Sequence, residues 1–487
     1  MEEKSVGKNA ALNMVKTVVA LIFPLITFPY ISRVLQVENL GKVNFAHSVV
    51  NYFVLFATLG LKTYGIREGA ALRNDRVKFQ RFFCQVLTIT AVSTAVSLAV
   101  LFALTLFSPR LREYDALILI LSASVVLPTL GCEWVCAAFE DYAYITVRSL
   151  LVQFLSLVLI FALIHQPKDY YRYAFILVFS SQGSNLFNLF YIRKYVKFSL
   201  TGRPEARRHL KPMLVLFASS LATTIYVSSD TTLLGLISGE YYTGLYAAAT
   251  KLYAVIKNLI SAIVVVSIPR FSYYYSSGKR EEYHTLLSRI SKVLCLLAVP
   301  AAVGVFVLSE EIILLISGST YMEAASTLRI LSLAVVFVAA SWVQSQCVLI
   351  PMKKEKWVLY STSATAVLNV VLNLLLIGKW RHNAAAFTTV IAEATVVLVY
   401  ALVIRKDGKV EGLSRQILHA AVGSAVMAVW LIYVKTWDGS VLLRLPAAIL
   451  GGMGIYGLVL LALKDEVIKE AAGQILRRLK RKDTDIP

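Results

Sequence analysis

The sequence predicts an all-α polytopic membrane protein of about fourteen transmembrane helices, in two pseudo-symmetric six-helix lobes with two further C-terminal helices. Composition, the length of the apolar runs and a weak internal echo lead there. Of 487 residues, 57% are hydrophobic and only 16% are charged, against about 25% charged in soluble domains. Mean hydropathy is +0.67. These values exclude disorder and argue against a soluble enzyme. The net charge of +20, from 49 Lys and Arg against 29 Asp and Glu, would suggest nucleic acid in a soluble protein. Here the bases fall in short runs between apolar stretches, as in membrane proteins, and no nucleic-acid partner is expected. Long apolar runs without period-2 alternation exclude a β-barrel.

About 20 apolar residues are needed to cross a bilayer core. Fourteen segments qualify: 11–35, 41–63, 82–107, 114–138, 142–165, 170–194, 211–237, 241–268, 290–309, 324–350, 357–378, 383–404, 415–435 and 441–463. The first lacks a short apolar core with a small-residue cleavage site and reads as a retained helix. With a cytoplasmic N-terminus, 35 of the 49 Lys and Arg fall in cytoplasmic segments and ten in outer loops. The alternation holds to the end, so both termini are expected on the cytoplasmic side of the cell membrane.

Residues 64–81 and 270–289 read as basic amphipathic helices on the cytoplasmic leaflet. So does the tail from Lys464 to Lys482, with Val467, Ile468, Ala471, Ile475 and Leu479 on its apolar side. The cysteines, Cys84, Cys132, Cys136, Cys295 and Cys347, lie in or beside apolar segments and read as small core residues, not a disulfide framework or metal site.

LGKVNFAHS at 40–48 is echoed by TGLYAAATK at 243–251. The offset makes helices 1–6 repeat as helices 7–12. The expected division is an N-lobe over 1–200, a C-lobe over 201–410, helices 13–14 over 411–463 and a basic tail over 464–487. Parallel repeats of this kind occur in secondary transporters, with sites between the halves.

Charges within spans usually face a bundle interior or wet cavity. The cations are Lys16, Lys251, Lys257 and Arg329. The acids are Asp230 and Glu393, with Glu133 nearer a cytoplasmic end. Arg33 and Lys42 sit at outer helix ends. Helical spacing aligns Asn9, Asn13 and Lys16; Asn44, His47, Asn51, Thr58 and Lys62; Ser219, Thr223, Tyr226 and Asp230; and Tyr246, Thr250, Tyr253 and Lys257. The plainer readings are snorkelling for Lys16 and Lys62, interface anchoring for Arg33 and Lys42, outward reach for Arg329 and packing for His47. Asp230 and Glu393 are either structural ion-pair partners or sites of ion or proton coupling. Pro24 and Pro29 suggest a bend in helix 1. No Walker A, G-x-S-x-G, H-E-x-x-H or paired CxxC pattern appears, so neither a catalytic residue nor a metal ligand is assigned.

Three stretches carry a family resemblance. PLITFPYISRVLQVENLGKVNFAHSVVNYF (24–53) resembles the opening of bacterial polysaccharide flippases. SSDTTLLGLISGEYYTGLYAAATKL (228–252) resembles their second-lobe motif. LNVVLNLLLIGKWRHNAAAFTTVIAE (368–393) resembles their Asn-rich eleventh helix and the start of the twelfth, with Asn383-Ala384-Ala385 where Gly-Ala-Ala is commoner. The resemblance implies the multidrug/oligosaccharidyl-lipid/polysaccharide exporter superfamily, with two lobes around a central cavity and alternating access. It further implies transfer of undecaprenyl-diphosphate-linked oligosaccharide to the outer leaflet, among membrane lipids and beside polysaccharide polymerase machinery. Arg33, Asp230 and Lys251 occupy motif positions. The cation set expected at the substrate is Lys16, Arg33, His47, Lys251, Lys257 and Arg329. No cofactor is expected beyond coupling of Asp230 or Glu393 to Na⁺ or H⁺. A cation-coupled drug antiporter would want an acidic cavity instead. A lipid II flippase is a close alternative. An enzyme acting on lipid-linked sugars is disfavoured by the short loops.

Overall fold

The computed structural model describes residues 6–201, 205–404 and 410–469. Every regular element among them is a helix. The chain divides into two compact units, Met1–Gly244 and Leu245–Pro487.

In unit one, α1 (Val6–Thr58) leaves helical geometry at Gln36, with φ of 64°. It therefore contains the first two expected spans end to end, without a loop. The backbone stays helical through Pro24 and Pro29, so the break falls at Gln36 and not at the prolines. The short α2 (Leu61–Leu72) follows Gly60, whose φ is 72°. Then α3 (Arg76–Phe107) starts on Asp75, whose carboxylate accepts from the Val77 and Lys78 amides. After α4 (Pro109–Arg112), α5 (Asp115–Gly131) and α6 (Glu133–Ala138) are parted at Cys132, with φ of 43°. Next comes α7 (Tyr142–Leu163). The sixth span is divided at Gly183 into α8 (Tyr170–Gln182) and α9 (Ser184–Tyr191). Unit one ends with α10 (Ala206–Ile237) and the start of α11 (Glu240–Ser276).

Unit two continues with α12 (Arg280–Val307), α13 (Ser309–Ser317) and α14 (Ala324–Trp342), which runs on as a π-helical stretch over Val343–Leu349. The long α15 (Glu355–Ile404) breaks at Arg381, with φ of 52°. Last are α16 (Leu413–Lys435) and α17 (Val441–Ala462). Eleven helical stretches among the described residues are long and apolar enough to cross a membrane. Two of them hold two spans across the breaks at Gln36 and Arg381, and α8–α9 supplies one more. This is consistent with the fourteen expected spans.

Two expectations are corrected. Residues 64–81 are not one interfacial helix. The Arg73–Asp75 turn separates α2 from the first turns of α3, because Asp75 caps a new helix. Helix α2 also packs inward, with Gly65 and Gly69 against the Trp134 ring. Residues 270–289 are likewise two helix ends around a tight turn at Gly278, with φ of 70°. Phe271 and Tyr283 are buried there edge to face at 5.7 Å, and Tyr283 donates to the Cys347 carbonyl at 2.9 Å. Of the basic tail, Val467 and Ile468 pack at the edge of a cluster containing Leu296, Ala420 and Leu460. Ala471, Ile475 and Leu479 lie outside the described residues, as do the side chains of Asn9 and Asn13.

The lipid-facing surface follows from spacing. Val92, Val96, Val100 and Leu104 recur every fourth residue along α3, and all are exposed. In lipid such residues give no drive to bury, so cohesion comes from close packing and internal polar contacts. Small residues supply the closest approach: the echoed Gly41 and Gly244 bring two turns of unit one together.

Candidate functional site

Unit one holds a polar cavity of about 400 Å³. From α1 and α2 come Lys16, Thr58 and Lys62. The α5–α6 break supplies Glu133 and Trp134, and α7 supplies Ser149 and Gln153. The α8–α9 division adds Ser180, Ser181, Gln182, Ser184 and Asn185. Breaks at Cys132 and Gly183 therefore turn polar side chains inward within otherwise apolar spans.

Glu133 organises the charge. Its carboxylate lies 3.4 Å from the Lys16 ammonium and 2.6 Å from an Arg148 guanidinium nitrogen. Arg148 is 4% exposed and also donates to Asn188. A guanidinium so placed needs these partners, since desolvating a charge without them is prohibitive. With two cations on one carboxylate, and Lys62 lining the same cavity, the positive sign dominates.

Sequence reading missed Arg148, counting it with a cytoplasmic loop. It lies six residues inside α7. The available signal was helical spacing: Arg148 shares its helix with Ser149 and Gln153, and an acid stands 15 residues earlier.

In unit two the stripe on α11 meets a second stripe on α15. The Tyr246 hydroxyl lies 3.5 Å from that of Thr389. Lys257 lies 3.3 Å from Glu393, which is buried, and its ammonium is 5.9 Å from the centre of the Tyr253 ring. Beside them runs a buried amide–hydroxyl ladder. Asn373 donates to Asn369 at 3.0 Å, and Thr388 donates to Asn373 at 2.9 Å. Lys251, one face over on α11, is exposed and has no ion pair among the described residues of its unit.

The remaining candidates are dispersed. Arg329 pairs with Glu310 at 2.9 Å, and Lys435 pairs with Glu310 at 3.2 Å and Glu311 at 3.4 Å. In unit two Arg329 thus joins that cluster, not Lys257 and Glu393. In unit one Arg33 is exposed just before the Gln36 bend, and its carbonyl accepts from the Gln36 side chain at 2.7 Å. His47 lies 3.3 Å from Asn51 on the same helix. Asp230 is buried, one turn before Leu234 and Gly235 in the apolar end of α10. No cluster of three His, Cys, Asp or Glu able to hold a metal occurs among the described residues.

Two family models match. That of the polysaccharide biosynthesis protein family covers residues 6–275, more than half of the chain. That of the lipid II flippase MurJ covers residues 184–444. A protein of Escherichia coli (strain K12) described as an O-antigen transporter is 22% identical over 79% of this chain and 93% of its own length. A low-salt glycan biosynthesis flippase of Haloferax volcanii is 26% identical over 54% of this chain and 55% of its own length. Among solved structures, the lipid II flippase MurJ in an inward closed conformation aligns with a TM-score of 0.75 at 14% identity, covering 94% of this chain and 99% of that one. An inward-facing multidrug-resistance transporter aligns with a TM-score of 0.57 at 14% identity, covering 81% and 99%. The fold is shared with these transporters, and the chain belongs to the polysaccharide biosynthesis protein family, the polysaccharide flippases of the multidrug/oligosaccharidyl-lipid/polysaccharide exporter superfamily.

Proposed function

We propose that this protein moves an undecaprenyl-diphosphate-linked oligosaccharide from the cytoplasmic to the outer leaflet by alternating access, and catalyses no reaction itself. The observation that carries this is the sign of the membrane-embedded charge. Lys16 and Lys62 outnumber Glu133 on the lining of one cavity, and Arg148 also pairs with Glu133. A diphosphate gains from such cations, because charge-assisted hydrogen bonds contribute about 1.5–3 kcal/mol each. A cationic drug would be repelled. The similarity to an O-antigen transporter and a glycan flippase supports the same substrate class.

The base asymmetry supports residence in the cytoplasmic membrane with both termini inside. A polysaccharide polymerase that consumes the exported unit is the natural partner. Asp230 and Glu393 are the candidates for coupling to Na⁺ or H⁺, and dependence on either gradient in proteoliposomes tests them. The match to the lipid II flippase model favours a second substrate, lipid II.

The test is reconstitution into sealed vesicles, with the lipid-linked oligosaccharide or lipid II placed in the leaflet equivalent to the cytoplasmic one. Protein-dependent access of an impermeant glycan-modifying reagent to the oligosaccharide is expected. Exposure of lipid II alone would favour the second reading. Exposure of neither, with the protein folded and inserted, would refute both.

A further inference from the structure

The geometry points to a sugar-recognition subsite in the unit-one cavity, formed by Gln153, Gln182 and Ser184, for the sugar directly attached to the diphosphate. This deepens the proposed function and rests on it. The cations of the cavity, Lys16 and Lys62, come from α1 and α2, whereas the α8–α9 division contributes the run Ser180-Ser181-Gln182-Gly183-Ser184-Asn185. So many neutral polar groups within a span are costly unless something uses their hydrogen bonds.

Internal partners use only part of that capacity. Ser180 and Ser181 donate back to the Leu177 carbonyl. Asn185 donates to the Gln182 carbonyl oxygen at 2.9 Å, which leaves the Gln182 amide nitrogen without a partner among the described residues. Gln153 Oε1 is buried with no hydrogen-bond partner among the described residues. An open acceptor on Gln153 and an open donor on Gln182, on the same lining as Lys16 and Lys62, match a sugar phosphate. Sugar hydroxyls donate and accept, and the adjoining diphosphate takes the cations. A prenyl chain could use none of these groups. A volume of about 400 Å³ falls within the roughly 300–1,000 Å³ of small-molecule sites.

The test is native mass spectrometry of the full-length protein in detergent. The probes are undecaprenyl diphosphate and its derivatives carrying one hexose, N-acetylhexosamine or deoxyhexose. At least one sugar-bearing form should bind wild type about tenfold more tightly than the bare diphosphate, as one or two net hydrogen bonds would give. Gln153→Leu and Gln182→Leu should each erode that preference while leaving bare-diphosphate binding unchanged. Lys16→Ala should weaken both forms alike. Equal wild-type affinity for all probes would overturn the subsite and leave the flippase reading standing. So would equal weakening of every form in the two Gln variants, or an unaltered preference in both. Failure of the folded protein to bind any probe would overturn both readings.

Discussion

Gly41 and Gly244 pack two turns of unit one backbone against backbone. A Cβ on Gly41 would sit 1.8 Å from the Glu240 carbonyl oxygen, and one on Gly244 would sit 2.1 Å from that of Val37. Both obstacles are main-chain atoms that cannot swing aside. The two glycines are equivalent positions of the echoed segments, so their identity follows from mutual approach in the fold.

Gly41→Ala and Gly244→Ala should therefore each destabilise the protein by about 1–3 kcal/mol, the usual range for overpacking, or more. Gly454→Ala and Gly457→Ala, where an added methyl meets nothing within 4 Å, are the controls. They should be neutral or slightly stabilising, because Ala is the better helix former. Thermal unfolding in detergent reads the difference. A Gly41→Ala midpoint indistinguishable from these controls would contradict the packing.

Asp465 links the end of α17 to the start of the tail. Its carboxylate accepts from the Gln416 side chain at 2.8 Å, lies 2.8 Å from His419 Nδ1, and accepts from the amides of Val467 and Ile468. Burial alone would push the carboxyl up. Hydrogen bonds from His419, Gln416 and the two amides more than offset this and hold it below the usual carboxylate value. A depressed carboxyl contributes stability above the unfolded value, about pH 4, and loses it as pH falls through the lower folded value. Amide protection at Val467 and Ile468, corrected for intrinsic exchange, should hold at neutral pH and collapse below that range. Asp465→Ala should remove it at neutral pH, at a cost of about 1–2 kcal/mol. Protection that persists at low pH, or in the variant, would sink the anchor.

Much of this architecture was legible because hydropathy reports the lipid directly: each expected span has a helical counterpart. The α11 stripe was legible too, since Tyr246, Thr250, Tyr253 and Lys257 repeat at helical spacing and meet Thr389 and Glu393. Helix ends were not. Apolar content stops at the bilayer edge, while α11 continues to Ser276 and α12 starts at Arg280, since backbone hydrogen bonding does not stop there. Arg148 was hidden for the converse reason. A base near a helix end looks like a loop base until Glu133 and Asn188 are folded around it.

The topology predicts which engineered thiols an impermeant reagent reaches. Gly318 and Gly439 mark two turns expected outside, but their φ values of 91° and 150° disfavour a side chain. Their neighbours Ser319 and Asp438 are exposed, as is Ser277 in the turn between α11 and α12. In a background lacking the native cysteines, Ser319→Cys and Asp438→Cys should label in intact cells, and Ser277→Cys only after permeabilisation. Labelling of Ser277→Cys in sealed cells would break the fourteen-span orientation.

Lys16, Lys251 and Lys257 separate cation function from fold maintenance. Lys257 neutralises Glu393, which is 5% exposed. Lys257→Ala should therefore lower stability by about 1.5–3 kcal/mol, the cost of depriving a buried charge of its partner. Lys251 has no ion pair to lose among the described residues of its unit. Lys16 shares Glu133 with Arg148, so Lys16→Ala leaves that carboxylate paired. Alanine at Lys16 or Lys251 should consequently reduce transport at near-normal protein level and unfolding midpoint. Glutamate at either position adds repulsion of a diphosphate and should reduce transport further, with Lys251→Arg partly active. Transport in sealed vesicles, normalised to folded protein, gives the order. Unchanged transport in both alanine variants, with Lys257→Ala behaving as expected, would remove these two lysines from the substrate path.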